Sequence, residues 1–142
     1  MFFQRALAGR SLTIFGDGGQ RRDFVYVKDI VAALEFVTLT PGLTGVFNAG
    51  YGDQITILGL PQRILSLTDS RSSIQFGPAR LGDVHHSRAS VERSQNAGFR
   101  PTGTLDAGLR EMLSVLRSDT GARLAEASPP SMELPIREPA PL

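Results

Sequence analysis

The chain has 142 residues, of which 41% are hydrophobic and 20% charged, and its formal net charge is +1. This composition is typical of one globular domain and excludes a wholly disordered, collagen-like or coiled-coil chain. The small net charge gives no reason to expect binding to nucleic acid or membranes. Because the chain has no cysteine, disulfides, thiolate nucleophiles and cysteine zinc sites are excluded. The first residues make a poor signal peptide and no stretch approaches about 18 apolar residues, so we expect a cytoplasmic protein.

Composition divides the chain into an ordered region, residues 1–117, and a tail, residues 118–142. Five of the nine prolines lie in this tail, which has few large apolar side chains to bury. We therefore expect 118–142 to be mostly disordered.

In the first half of the ordered region, turn residues separate short apolar elements. A helix over Phe2–Leu7 would end near Gly9, and the alternating residues 11–15 predict a strand. Residues 16–19, Gly-Asp-Gly-Gly, predict a turn with positive φ, followed by a second strand over 23–27. Asp29 is expected to cap a helix, and the apolar run 46–50 predicts a strand buried on both faces.

The second half continues the irregular alternation of strands and helices. The patterns predict helices over 57–67, 89–97 and 105–116 and a strand over 73–77. Thr102 or Thr104 could cap the last helix, whose apolar residues Leu105, Leu109, Met112, Leu113 and Leu116 share one face. This order of elements indicates a small α/β or α+β unit.

Two arginines are candidate ligands for an anion. Arg22 follows the glycine-rich turn, where a guanidinium could donate two hydrogen bonds to a phosphate. Spacing alone favours the simpler interpretation that Arg22 pairs with Asp17 or Asp23. Arg80 begins the loop Arg80-Leu81-Gly82-Asp83. If this motif is considered alone, the simpler interpretation is that Arg80 is a solvated loop residue. Gly82 would provide a tight turn, and Asp83 could accept hydrogen bonds from backbone amides.

Other catalytic patterns are absent from the sequence. The glycine-rich turn matches neither a P-loop nor a dinucleotide fingerprint, since no helix is expected to follow it. His85 and His86 are adjacent, so they diverge and make a poor metal pair. No Gly-x-Ser-x-Gly motif is present.

In order and spacing, these elements resemble the C-terminal part of the NAD-dependent sugar-nucleotide epimerase/dehydratase family, the extended short-chain dehydrogenases that include UDP-glucose 4-epimerase. The resemblance covers about residues 2–117. The motifs that carry it are Gly-Asp-Gly-x-Gln-x-Arg-Asp-Phe at 16–24, Phe-Asn-Ala-Gly at 47–50, Arg-Leu-Gly-Asp at 80–83 and Gly-Phe-Arg-Pro at 98–101.

The resemblance implies an α/β fold that forms the substrate-binding lobe, without the N-terminal Rossmann domain. It implies that Arg22 and Arg80 bind the pyrophosphate of a nucleotide sugar and that Thr13 and Phe15 border the base. The intact family uses NAD, and its members are often homodimers. We expect no cofactor for this chain alone, because it has neither the glycine-rich NAD loop nor the Tyr-x-x-x-Lys pair. It departs from the family pattern at Ser90 and Ala97, where Asp and Leu are usual.

Three interpretations of the chain's role stay open. It could be a truncated enzyme that binds the nucleotide diphosphate but is not catalytic alone. It could be one half of a split enzyme, completed by a separate Rossmann chain. It could also be a non-catalytic interaction module or a relic. In the first two cases the ligand would be a nucleotide-diphosphate sugar, with no nucleic-acid or membrane partner.

Overall fold

The computed structural model describes residues 1–118, so the tail predicted to be disordered lies outside the described residues apart from Ser118. Helices and short strands alternate along the chain: α1 (Phe2–Leu7), β1 (Leu12–Phe15), β2 (Arg21–Arg22), α2 (Val27–Leu39), β3 (Ile55–Thr56), α3 (Gly59–Thr68), β4 (Ile74–Gly77), β5 (His86–Ser87), α4 (Glu92–Asn96) and α5 (Leu105–Arg117). The α/β class predicted from the sequence is confirmed. Within residues 1–118, no helix has both the length and the apolarity needed to cross a bilayer.

Two small sheets organise the strands. β1 and β4 pair in parallel, with Leu12 opposite Ile74 and Phe15 opposite Gly77. In the second sheet β2 lies in the middle, antiparallel to β3 and parallel to β5. The segments β1–turn–β2 and β4–loop–β5 therefore run side by side in the same direction. This arrangement brings residues 16–20 and 78–85 together.

The main core lies beneath β1, where α1, α3 and α5 meet. Its buried members are apolar: Phe3, Ala6, Leu12, Ile64, Leu109 and Leu113. The alternation of β1 turns Leu12 and Ile14 inward, whereas Thr13 and Phe15 share the more exposed face. Burial of these inward side chains anchors the strand whose carboxyl end carries the glycine-rich turn.

Several elements match the sequence predictions closely. β1, β4 and α1 lie where expected, and Gly9 adopts the positive φ expected just after α1. α5 covers the predicted helix, and the Thr104 hydroxyl caps it by accepting a hydrogen bond from the Ala107 N–H at 3.1 Å. α3 begins at Gly59, two residues later than predicted, and α4 is shorter than the predicted helix over 89–97.

Two predicted strands are wrong. The strand expected over 23–27 is replaced by residues without regular structure, followed by the start of α2 at Val27. Residues 46–50, expected to form a strand buried on both faces, form none, and Val46 is 80% exposed. Both runs have the β-branched and aromatic residues that strands favour, but no neighbouring strand within residues 1–118 pairs with them.

The role predicted for Asp29 is also corrected. α2 begins two residues before Asp29, and its N-cap position is Tyr26. Asp29 is buried within the first helical turn, where its carboxylate accepts hydrogen bonds from the N–H groups of Thr102 and Gly103. Its side chain therefore satisfies backbone donors of a distant segment instead of those of its own helix.

Candidate functional site

The candidate site lies at the carboxyl ends of β1 and β4. Because these strands are parallel, their carboxyl ends meet at one sheet edge, the position where ligands usually bind in such sheets. The turn 16–19 leaves β1 there, and the loop 78–85 leaves β4 there. β5 then hydrogen-bonds to β2, which holds the loop against Arg22.

The turn 16–19 is shaped by two glycines with positive φ, Gly16 at 78° and Gly18 at 75°. Asp17 accepts a hydrogen bond from the Gly19 N–H at 2.8 Å within the same turn. After this turn the chain enters β2 and not a helix, so no helix N-terminus faces the glycines as a dinucleotide pyrophosphate would require. The turn 16–19 therefore lacks the helix N-terminus on which the pyrophosphate of a dinucleotide rests.

Arg22 forms an ion pair that the sequence did not predict. Its Nη2 lies 2.6 Å from Asp83 Oδ1, and its Nη1 donates to the Arg21 carbonyl oxygen at 2.9 Å. The expected partners Asp17 and Asp23 are engaged elsewhere. Asp23 accepts hydrogen bonds from the N–H groups of Tyr51, Gly52 and Ala89, and so ties together three segments around the site.

Arg80 lies over the face of Phe15, with its Cζ 4.0 Å from the ring centroid. A guanidinium attracted to an aromatic face keeps its N–H groups directed outward around its edge. Arg80 is therefore held on the exposed face of β1 that also carries Thr13. Of the predicted site residues, the structure joins Arg80 to Phe15 directly and Arg22 to the loop of Arg80 through Asp83.

Gln20 and Asp83 are residues of this site that the sequence analysis did not identify correctly. Gln20 is 4% exposed, and its Nε2 donates to the Phe15 carbonyl oxygen at 3.0 Å and to Asp83 Oδ2 at 3.3 Å. Asp83, expected to accept from backbone amides, instead accepts from the side chains of Gln20 and Arg22. Spacing along the chain gave no signal for this role, because Asp83 lies 61 positions from Arg22.

A second cluster of titratable side chains joins the start of α2 to α5. Tyr26 donates a hydrogen bond to Glu111 Oε2, and Lys28 Nζ lies 2.6 Å from Glu111 Oε1. The hydrogen bond to Glu111 raises the pKa of Tyr26 and the pKa of Lys28, while the bond from Lys28 lowers the pKa of Glu111. The carboxylate of Glu111, at the middle of α5, thus links two side chains at the start of α2.

The two histidines do not form a metal site. His86 belongs to β5, and His85 precedes it as an exposed residue whose carbonyl oxygen accepts a hydrogen bond from the Arg21 N–H at 2.7 Å. Within residues 1–118 there is no group of three or more His, Asp or Glu residues arranged to hold a metal ion. The edge of β1 and β4 that carries Arg80 and adjoins Arg22 is thus the main candidate site.

Comparison with known proteins finds similarity to nucleotide-sugar enzymes. Residues 1–50 match the model of the NAD dependent epimerase/dehydratase family. The chain is 34% identical over 113 residues to UDP-glucuronic acid decarboxylase 1 of Danio rerio, covering 79% of this chain and 27% of that protein. It is 32% identical over 119 residues to UDP-glucose 4-epimerase of Mycolicibacterium smegmatis, covering 83% of this chain and 38% of that protein.

A solved structure shares the fold as well as the sequence. The UDP-glucose 4-epimerase of Thermotoga maritima, crystallised with UDP-glucose, superposes with a TM-score of 0.76 at 32% identity, over 82% of this chain and 38% of that one. The chain is therefore homologous to nucleotide-sugar epimerases and decarboxylases. It spans about a third of the length of the relatives it matches.

Proposed function

We propose that this chain is a member of the NAD-dependent epimerase/dehydratase family and corresponds to its C-terminal, substrate-binding lobe. In this role it binds the diphosphate of a nucleotide sugar with Arg22 and Arg80. The observation that carries the proposal is that Arg22, on β2, is paired with Asp83 in the loop that begins at Arg80, beside the carboxyl ends of the parallel strands β1 and β4. Thr13 and Phe15, on the exposed face of β1, would border the base.

Charge and geometry support a diphosphate as the ligand. Each guanidinium is permanently charged and can donate two hydrogen bonds to neighbouring oxygens, which suits the closely spaced anionic oxygens of a pyrophosphate. Arg22 donates from Nη2 to Asp83 and from Nη1 to the Arg21 carbonyl oxygen. Of the five N–H bonds of a guanidinium, three are then left to donate to a ligand. Arg80 presents its edge to solvent above Phe15.

The direct test is a titration of the ¹⁵N-labelled chain with UDP and UDP-glucose, followed by NMR. We expect chemical-shift changes in residues 13–22 and 80–83. A hydrogen bond to a charged group contributes about 1.5–3 kcal/mol, so Arg22→Ala or Arg80→Ala should weaken binding about tenfold or more. Arg71→Ala is the matched control, because Arg71 precedes β4 at the opposite sheet edge. Equal losses in all three variants would refute the assignment.

Catalysis by the isolated chain is not part of this proposal. Its sequence has no Tyr-x-x-x-Lys pair and no Gly-x-x-Gly-x-x-Gly motif. We expect the purified chain, freed of host epimerase, to leave UDP-glucose unchanged when NAD is added. Measurable turnover under these conditions would contradict this assignment.

A second candidate is one half of a split enzyme, completed by a separate dinucleotide-binding chain. One observation favours it: α2 is apolar on its outward face, where Val31 is 59% and Leu34 66% exposed. A helix that is apolar on opposite sides is usually covered on both. Co-expression with the dinucleotide-binding half of a relative should then yield a stable complex that gains turnover. A complex without turnover would favour a non-catalytic interaction module.

A further inference from the structure

We propose that Asp83 is a positioning residue for the anion site: its carboxylate, held by Gln20, fixes the direction of Arg22, and its backbone closes the turn that carries Arg80. The nature of the ligand, a diphosphate, rests on the proposed function. The positioning itself rests on contacts within the ligand-free chain and can be tested without a ligand.

The first contact restrains Arg22. An arginine side chain has many rotamers, and ordering them during binding costs affinity. In this chain the ion pair to Asp83 Oδ1 and the hydrogen bond to the Arg21 carbonyl oxygen hold the guanidinium from two directions. These two contacts therefore order the Arg22 guanidinium in the ligand-free chain.

The second contact restrains Arg80. The Asp83 N–H donates to the Arg80 carbonyl oxygen at 3.2 Å, and Gly82 has a φ of 78°. A positive φ at the third position is characteristic of a type II turn. Arg80 and Asp83 are thus the first and last residues of one turn. Fixing the Asp83 carboxylate also fixes the start of the turn that places Arg80 over Phe15.

Gln20 supplies the fixed point for Asp83. Its buried amide nitrogen donates to two oxygens, and the reverse orientation of the amide would bring its own oxygen against both. Its Oε1 is buried without a partner among residues 1–118, a cost that few buried polar groups carry. We infer that the unpaired Oε1 is tolerated because the amide nitrogen of Gln20 holds the Asp83 carboxylate in place.

The negative charge of Asp83 and its positioning of Arg22 would have opposite effects on anion binding. Asp83 is a negative charge beside a site proposed to bind an anion, so it repels the ligand. If Asp83 contributed only charge, its neutralisation would strengthen anion binding. If it positions Arg22 and Arg80, its neutralisation weakens binding despite the lost repulsion.

The binding experiment compares Asp83→Asn with Asp17→Asn, using inorganic pyrophosphate as the probe. Both variants remove one negative charge from the paired segments, but the Asp17 carboxylate accepts its hydrogen bond from Gly19 within its own turn. We expect Asp83→Asn to weaken pyrophosphate binding about tenfold and Asp17→Asn to leave it unchanged or slightly stronger. Unchanged or tighter binding by Asp83→Asn would overturn the proposal.

A ligand-free measurement separates this inference from the proposed function. The side-chain ¹⁵N–¹H signals of Arg22 report how slowly its guanidinium rotates. We expect slow rotation in the parent chain and fast rotation in Asp83→Asn and Gln20→Met, with Asp17→Asn unchanged. If Gln20→Met fails to fold by circular dichroism, Asp83→Asn and Asp83→Glu decide, since Asp83 is on an exposed loop. Slow rotation of Arg22 in Asp83→Asn refutes positioning, whereas a parent chain that binds no pyrophosphate refutes only the proposed function.

Discussion

The carboxylate of Asp29 and the backbone N–H of Gly103 lie 3.1 Å apart and join the first turn of α2 to the segment that precedes α5. A Cβ at position 103 would lie 2.5 Å from Asp29 Oδ2 and 3.0 Å from the Tyr26 ring. Glycine is therefore required for the backbone to approach the carboxylate this closely. The contact fixes α2 relative to α5 at a buried point.

Asp29→Ala should destabilise the fold, because it leaves the N–H groups of Thr102 and Gly103 without their acceptor. The expected loss is about 1–3 kcal/mol in the free energy of unfolding, measured by urea denaturation. Asp53→Ala is a suitable control, since Asp53 is exposed and accepts a hydrogen bond from the N–H of its neighbour Gln54. A loss no larger than that of the control would show that the buried contact is not stabilising.

Glu111→Gln should lower stability at neutral pH but not in acid. The pKa of Glu111 is lowered below its ordinary 4.5, so its contribution is present above that value and lost as the pH falls through the folded-state pKa. The pKa values of Lys28 and Tyr26 are raised above 10.5 and 10.0, so their contributions are present below those values and lost at higher pH.

Urea unfolding of the parent chain and Glu111→Gln, from pH 7 downward into acid, checks this prediction. The difference between the two proteins should be present at pH 7 and should shrink as the pH falls through the folded-state pKa of Glu111, which lies below its ordinary 4.5. A difference that does not change as the pH falls would mean that the glutamate acts through packing and not through its charge.

Gly16→Ala should be more destabilising than Gly42→Ala, although both glycines have similar positive φ values, 78° and 75°. Both substitutions carry the strain of a left-handed alanine, of the order of 1 kcal/mol. Only at Gly16 does the new Cβ meet another group, Gln20 Nε2 at 2.8 Å, whereas the space around Gly42 is open. Thermal unfolding of the two variants measures the difference, and equal melting temperatures would contradict the contact with Gln20.

Val31→Lys together with Leu34→Lys should reduce self-association of the chain. Both side chains lie on the outward face of α2 and are more than half exposed, and exposed apolar side chains that lie together favour association. Sedimentation velocity of the parent and the double variant measures the effect. A monodisperse parent at high concentration would indicate that this face needs no partner.

The sequence predicted the elements that depend on neighbouring residues and missed the contacts between residues far apart in the chain. β1, β4 and α5 follow from local periodicity, because alternation or helical spacing of apolar residues determines which face is buried. The strand predicted at 46–50 failed, since a strand needs a neighbour and local composition does not provide one. The ion pair between Arg22 and Asp83 joins residues 61 positions apart, and spacing along the chain could not predict it.

Because β2 is the central strand of its sheet, a deletion in the segment before it should disturb the fold more than a point substitution on the strand itself. Its residues Arg21 and Arg22 are paired on one side with Ile55 and Thr56 and on the other with His86 and Ser87. Side chains on this ladder can vary while the backbone pairing persists. Deleting one residue from 16–20, by contrast, would shift β2 against both neighbours at once and turn Arg22 to the opposite face. Relatives that differ in ligand are therefore expected to differ here by substitution, while preserving the length of this connection.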